Sequence, residues 1–505
     1  MVAFGGVVDT VETRSRVFAR WKALIGQRHV ATGATPGTQP ISRVSKSLVA
    51  AIAALATTLF TLIGLGSFRG AALGMDLGIF DQAVQAYSRL QTPDIQIKAQ
   101  GGFNILGDHF SPVIALLAPF YRIWPDARML MCAQAVLFGF SVGFVGWYAY
   151  RRGLGRAAYV VEACFACSFG VLSAAVFDFH EVAFALPVLL WAVWAFLERR
   201  DAQMIAACVL MCFIKEDMPM YAAGLALALF FTGRRLFGVI LGAASVAATL
   251  LLVFVVIPYF SYWGHYAYIG SGARGLRSLG EALTTFGQHL FTGQGGAFIL
   301  VVAVTIGLGL RRPVALVVLP TMLFRFMAND TVYLGFHLQY GALLTGVAFL
   351  ALIDGWAWLS EHGVRLARQL QMLQIAVLVV AAAAGVSRSS ALVRVGYLTG
   401  RDAVIAQRAA VESLIPNGAN VAADVYLVPQ IVDRTSVQIA YASWKDETGQ
   451  TIEADYVFLD LDTISYGNRQ NQWPQTLIQQ LTAPGGGYVE IAHTGRYVLL
   501  RRAGY

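Results

Sequence analysis

Four groups of ionisable residues stand beside or between long apolar runs, where charge is costly and is kept for a partner or a task. In MDLGIFDQAVQAYSRL, Asp76 and Asp81 are five positions apart and so do not stack on one helical face. Asp76 suits two compatible roles, a carboxylate base and an N-cap for the helix that follows. In Gly107-Asp108-His109-Phe110-Ser111-Pro112 a polar turn opens a short apolar helix, and Asp108 can hold backbone amides, a sugar hydroxyl or a metal. Asp178-Phe179-His180-Glu181 and Lys215-Glu216-Asp217 each join two apolar segments, and the second suits either a substrate or a self-neutralising ion cluster. Arg325, Asn329, Asp330 and His337 share one further turn, where an arginine fork matches the oxygens of a phosphate.

The elements that must position these groups are membrane spans. With 57% hydrophobic and only 13% charged residues, the 505-residue chain is too apolar for ordinary soluble domains. Its net charge of +8 suggests no nucleic acid, because Lys and Arg fall in short clusters between apolar runs, as insertion topology requires. The five cysteines all lie inside apolar runs, so Cys164-x-x-Cys167 reads as packing. Residues 1–45 read as a basic cytoplasmic tail, and a first span follows near 47–66. A polar outer loop, 67–127, comes next. Later spans fall near 129–150, 158–177, 182–197, 204–216, 218–232, 237–257, 297–310, 314–327, 339–357 and 373–386, about eleven in all. Arg151/Arg152/Arg156, Arg199/Arg200, Arg234/Arg235, Arg311/Arg312 and Arg365/Arg368 then share one side, which makes it cytoplasmic; Arg274 and Arg277 lie opposite.

The expected architecture is an all-α membrane domain over 46–390 and a small extracytoplasmic α/β domain over 395–505. In the latter, VESLIPNGANVAADVYLVPQIVDR reads as helix, turn, strand, helix. ADYVFLDLD reads as a buried strand and GYVEIAHTGRYVLLRR as a hairpin about Thr494-Gly495. Asp460 and Asp462 read as a strand end, and no glycine-rich phosphate loop accompanies them.

MDLGIFDQ, GDHFSP, FDFHE, KED and HLQYGALL resemble a prokaryotic membrane family grouped with the GT-C glycosyltransferases. The outer loop with its early carboxylate and Asp108-His109-x-Ser-Pro112 is similar to the protein O-mannosyltransferase and aminoarabinose-transferase branch. The resemblance implies a GT-C-like fold in the plasma membrane and a polyprenyl-phosphate sugar donor, with an envelope glycan, lipid or protein as acceptor. It implies inverting transfer with Asp76 as base, Asp81 being the second candidate, and phosphate held by Arg325 with Lys215 or His337. Asp108, His109, Asp178, His180, Glu216 and Asp217 complete the implied substrate site. No nucleotide site is needed, and a divalent metal is left open as cofactor. Two other classes fit the polar groups: a transporter or flippase of a lipid-linked or small anionic substrate, and a noncatalytic envelope protein on the same fold.

Overall fold

Apolar runs bounded by arginines become helices because a chain in hydrocarbon must satisfy its backbone polar groups internally. The computed structural model describes residues 43–268, 313–327, 338–463 and 473–505, with positions 278, 280, 281 and 284. The basic tail up to residue 42 and the span expected near 297–310 lie outside the described residues. The membrane part opens with α1 (Arg43–Arg69), the short helix α2 (Met75–Ser88) and a two-residue ribbon, β1 (Asp94–Ile95) with β2 (Phe103–Asn104). It continues through α3 (Ala118–Ile123), α4 (Ala127–Ala149), α5 (Ala157–Ala166), α6 (Phe169–Val176), α7 (Val182–Leu197) and α8 (Asp201–Met211). It closes with α9 (Pro219–Phe231), α10 (Arg235–Phe260), α11 (Leu319–Met327), α12 (Ala342–Glu361) and α13 (Ala367–Arg388).

Among the described residues, α1, α4, α10, α12 and α13 are long and apolar enough to cross a bilayer, and α5 with α6, bent by 41°, makes a sixth candidate. The expected spans over α7, α8, α9 and α11 are helical but short. At about 1.5 Å per residue, the 16 residues of α7 reach less than the ~30 Å hydrocarbon core. The polar turns at 177–181 and 215–217 fall between these helices, where the sequence places them.

Helices in lipid pack by close backbone approach. On α4, a Cβ at Gly139 would overlap Thr57 Oγ1 of α1, and one at Gly143 would lie 3.0 Å from Ala53 Cβ. The bundle core gathers Phe138, Val142, Leu186, Leu190, Leu350 and Trp356 from α4, α7 and α12.

After α14 (Ala391–Gly396) the chain leaves the bundle through α15 (Asp402–Glu412) into a five-stranded sheet. Its strands are β3 (Asn420–Ala423), β4 (Ser436–Ile439), β5 (Tyr456–Asp460), β6 (Tyr488–Thr494) and β7 (Tyr497–Arg502), in the order β4-β3-β5-β7-β6. β3 runs parallel to β4 and β5, while β5, β7 and β6 are antiparallel. The expected buried strand is β5, all five of whose residues are buried, and the expected hairpin turns at Gly495 with φ +62°.

A second core ties this domain to the loop that follows α1. Leu77, Phe80 and Val84 of α2 pack with Ile97, Val428, Ile431, Val437 and Phe458. Gln82 Nε2 donates to the Val437 carbonyl at 3.0 Å, while its Oε1 accepts from the amides of Gln96 and Ile97 at 2.8 and 3.2 Å. The α/β domain is therefore seated on the helix whose first turn carries Asp76.

Candidate functional site

The first turn of α2 has no capping side chain of its own, because Gly74 occupies the N-cap. Asp178 supplies the acceptor: its carboxylate takes the amides of Gly74 at 2.8 Å, Asp76 at 3.1 Å and Leu77 at 3.3 Å. The capping role open to Asp76 in the sequence thus belongs to Asp178, and the Asp76 side chain is free to turn elsewhere. Burial, followed by the neighbouring Asp76 charge, pushes the Asp178 carboxyl up to about 7.

Asp76 Oδ2 lies 3.3 Å from His180 Nε2, and His180 Nδ1 lies 2.7 Å from Glu181 Oε2. Lys215 Nζ donates to the other Glu181 oxygen at 2.5 Å. Two carboxylates and two cations alternate in this row, so the buried charges neutralise one another. The His180 backbone amide donates to Gln134 Oε1 at 3.1 Å, and Phe80 and Phe177 flank its ring at centroid distances of 5.2 and 5.9 Å. Burial works against the imidazolium, but the charge of Glu181 and the Asp76 hydrogen bond prevail and raise His180 to about 9. Burial likewise works against the Asp76 carboxylate, yet its hydrogen bond to His180 and that residue's charge hold it below the ordinary value. Asp76 is therefore an ionised carboxylate at neutral pH, and 27% of its side chain is exposed.

A second cluster adjoins the first through the backbone of Lys215 and Glu216. His109 Nδ1 lies 2.7 Å from Glu216 Oε1, the Phe110 amide donates to Glu216 Oε2 at 3.1 Å, and Tyr266 donates its hydroxyl at 2.8 Å. Lys98 donates to Asp108 at 2.6 Å, and Tyr268 donates to Asp108 at 3.2 Å while its ring stacks on His109. Burial works against the Asp108 carboxylate, but its neighbours, the Lys98 charge foremost, together prevail and lower it to about 2.

Of the other sequence candidates, Asp81 and Arg325 share no hydrogen bond with these two groups, and Asp217 adjoins them. Asp81 is fully buried beneath α2, where it accepts from the Tyr121 hydroxyl at 2.9 Å. Arg325 donates to the Tyr340 carbonyl at 2.8 Å. Asp217 is placed beside Lys215 and Arg325 in the ionic environment, and its Oδ1 is buried without a hydrogen bond. His337, like Asn329 and Asp330, lies outside the described residues. Among the described residues, no three His, Cys, Asp or Glu side chains gather as a metal site.

Asp76 opens into a cleft of about 570 Å³ between the membrane part and the α/β domain. Met75, Phe177, Asp178, Arg388 and Arg394 line one wall, and Tyr426, Asp462, Thr463 and Arg496 line the other. The second wall lies beyond the carboxyl ends of the parallel strands β3 and β5, where open α/β sheets hold ligands. Arg496 is clamped there by both oxygens of Asp460.

Sequence reasoning missed Lys98, Gln339, Tyr266, Tyr268 and the domain wall. Gln339 Nε2 comes within 3.2 Å of His180 Nε2. Its only sequence signal is a polar residue at the entrance of an apolar helix.

A family model described as "Predicted membrane protein (DUF2079)" matches residues 71–489. Among curated proteins, none matches the chain. The solved structure of ArnT from Cupriavidus metallidurans bound to undecaprenyl phosphate is similar at a TM-score of 0.49 and 13% identity, over 88% of this chain and 98% of that one.

Proposed function

The chain belongs to the predicted membrane protein family DUF2079, and we propose that it is a glycosyltransferase using a polyprenyl-phosphate sugar donor on the extracytoplasmic face. The observation that carries this reading is Asp76: an ionised, half-buried carboxylate, fixed by His180, at a cleft that joins the bundle to the α/β domain. A general base must be reachable by its proton donor and held in register by its surroundings.

In the reaction, the acceptor hydroxyl gives its proton to Asp76 as its oxygen attacks the anomeric carbon from the face opposite the lipid phosphate. The bond from that carbon to the phosphate oxygen breaks, the electron pair leaves with the phosphate, and the configuration inverts. Asp178 aims the first turn of α2, while His180, Glu181 and Lys215 hold the Asp76 carboxylate; none of these four needs to touch the sugar. Asp108, His109 and Glu216 tie the outer loop to the 215–217 turn, and Arg325 braces the turn before α12. The α/β domain supplies the acceptor side of the cleft.

The test is transfer of radiolabelled sugar from a panel of synthetic polyprenyl-phosphate donors by purified protein, comparing wild type with Asp76→Asn. Product from wild type alone establishes the class and the base together. Equal product from both removes Asp76 from the role, and no product across a broad panel returns the weight to transport or to a noncatalytic protein.

A further inference from the structure

Breaking the bond at the anomeric carbon turns a singly charged phosphodiester into a monoester that gains a second negative charge at neutral pH. A cation close to the cleft must meet that charge as it develops. Among the described residues, the cations named for the phosphate from sequence are already engaged: Lys215 with Glu181 at 2.5 Å and Arg325 with the Tyr340 carbonyl at 2.8 Å. Within the cleft, Arg496 is clamped by Asp460, and Arg394 donates to the Ala72 carbonyl at 3.0 Å. Arg388 differs. It is exposed, lines the same cleft as Asp76, and among the described residues has no hydrogen-bond or ion-pair partner.

Its position matches lipid as well as charge. Arg388 ends α13, a helix long and apolar enough to cross the bilayer, whose opposite end follows Arg365. Immediately after it, Leu392 and Val393 of α14 are 69% and 54% exposed, as befits a short helix resting at the hydrocarbon boundary. A guanidinium at that level stands where lipid phosphates lie, with a planar fork that fits two phosphate oxygens.

We propose that Arg388 anchors the phosphate of the lipid-linked donor, at the membrane edge of the cleft that holds Asp76. This deepens the transferase reading and rests on it. The donor's lipid tail lies along α13 and α14, and the guanidinium hydrogen bonds shorten as the leaving monoester forms. Arg388 thereby selects a lipid whose headgroup can reach the cleft, and it takes over the phosphate role that sequence gave to Arg325.

The test is direct binding of a polyprenyl monophosphate to the purified full chain in detergent, with phosphatidate and inorganic phosphate as competitors. Arg388→Ala is expected to weaken binding by about tenfold or more, the loss of a charge-assisted contact. Arg388→Lys is expected to recover part of it. Arg401→Ala serves as an interfacial control, because Arg401 packs over Tyr397 at 4.9 Å and is not part of the cleft wall; its binding is expected to stay unchanged. Equal affinity in wild type and Arg388→Ala overturns the anchor and leaves the transferase reading standing. A wild type that binds no polyprenyl monophosphate overturns both. Competition by inorganic phosphate as strong as by the lipid overturns the placement at the membrane edge, whereas competition by phosphatidate alone supports it.

Discussion

His180 and Glu181 are neighbours in sequence, yet their side chains meet at 2.7 Å, so one imidazole bridges Glu181 to Asp76 while the far Glu181 oxygen holds Lys215. This contact sets the protonation of the whole row. His180 is raised to about 9 against the opposing effect of burial, chiefly by the Glu181 charge. The raised value means that the imidazolium stabilises the fold fully below its ordinary value of about 6.5, and that the contribution is lost as pH climbs through about 9.

Glu181→Gln removes that charge. His180 is then expected to lose its proton near neutrality, so transfer by the variant falls between pH 6 and 8 while wild type holds its rate until about pH 9. Lys215 keeps a neutral acceptor but loses its counter-charge, and unfolding of the variant is expected to be easier by about 3 kcal/mol. The pH profile of kcat and thermal unfolding in detergent check the two halves separately. An unchanged profile in the variant contradicts the coupling of Glu181 to Asp76 through His180.

These links show where reading the chain stops. DFHE and KED were each recognisable as polar turns between apolar runs, because charge at membrane depth stands out against composition. The bond between them spans 34 positions, and periodicity carries no information about it. Lys98 sits in the polar stretch IQIKAQ with no pattern around it, and only folding shows that it satisfies Asp108 ten residues later. Much of the α/β domain was legible, since a buried strand and a two-residue-period hairpin differ plainly from the bundle helices, but strand β4 and the helix at Trp473–Thr482 were not read. Its seat on α2 was not: the Gln82 contact with Val437 joins positions 355 apart. Arg388 had no signal of its own, because a sequence records that an arginine follows an apolar run and not which cavity the helix end borders.

Asp81 and Asp76 lie on one helix, and the sequence left both open as the base; burial separates them. Asp81 is 0% exposed, and desolvation raises it to about 8, so it is protonated at neutral pH against Tyr121. For this carboxyl the sign is that stability is greatest below its unfolded value near 3.9 and falls as pH rises toward about 8. Asp81→Asn keeps an acceptor for Tyr121 and cannot ionise. The variant is expected to retain transfer, to be stabilised at pH 7 by roughly 1–4 kcal/mol, and to show a flatter dependence of Tm on pH between 5 and 8. Loss of transfer with an unchanged Tm places Asp81 in the chemistry after all.

Gly78 gives the docking of the α/β domain its own test. A Cβ at this position would lie 2.6 Å from Val428 Cγ1 and 2.8 Å from Ile97 Cδ1, so any side chain pries α2 away from the domain. Gly78→Val enlarges that wedge while leaving Asp76, His180 and Asp178 chemically intact. Overpacking of this kind costs about 1–3 kcal/mol, enough to populate an undocked domain while the lipid-embedded bundle stays folded. Hydrogen exchange is expected to rise at Gln82, Ile97 and the strand edge at Val437, and not in α4 or α12. If the cleft needs both walls, transfer falls in proportion to the undocked fraction while binding of a polyprenyl monophosphate, made by the membrane wall alone, persists. Loss of lipid binding together with undocking would show instead that the α/β domain helps to hold the donor, and would move its role from the acceptor side of the cleft to the lipid side.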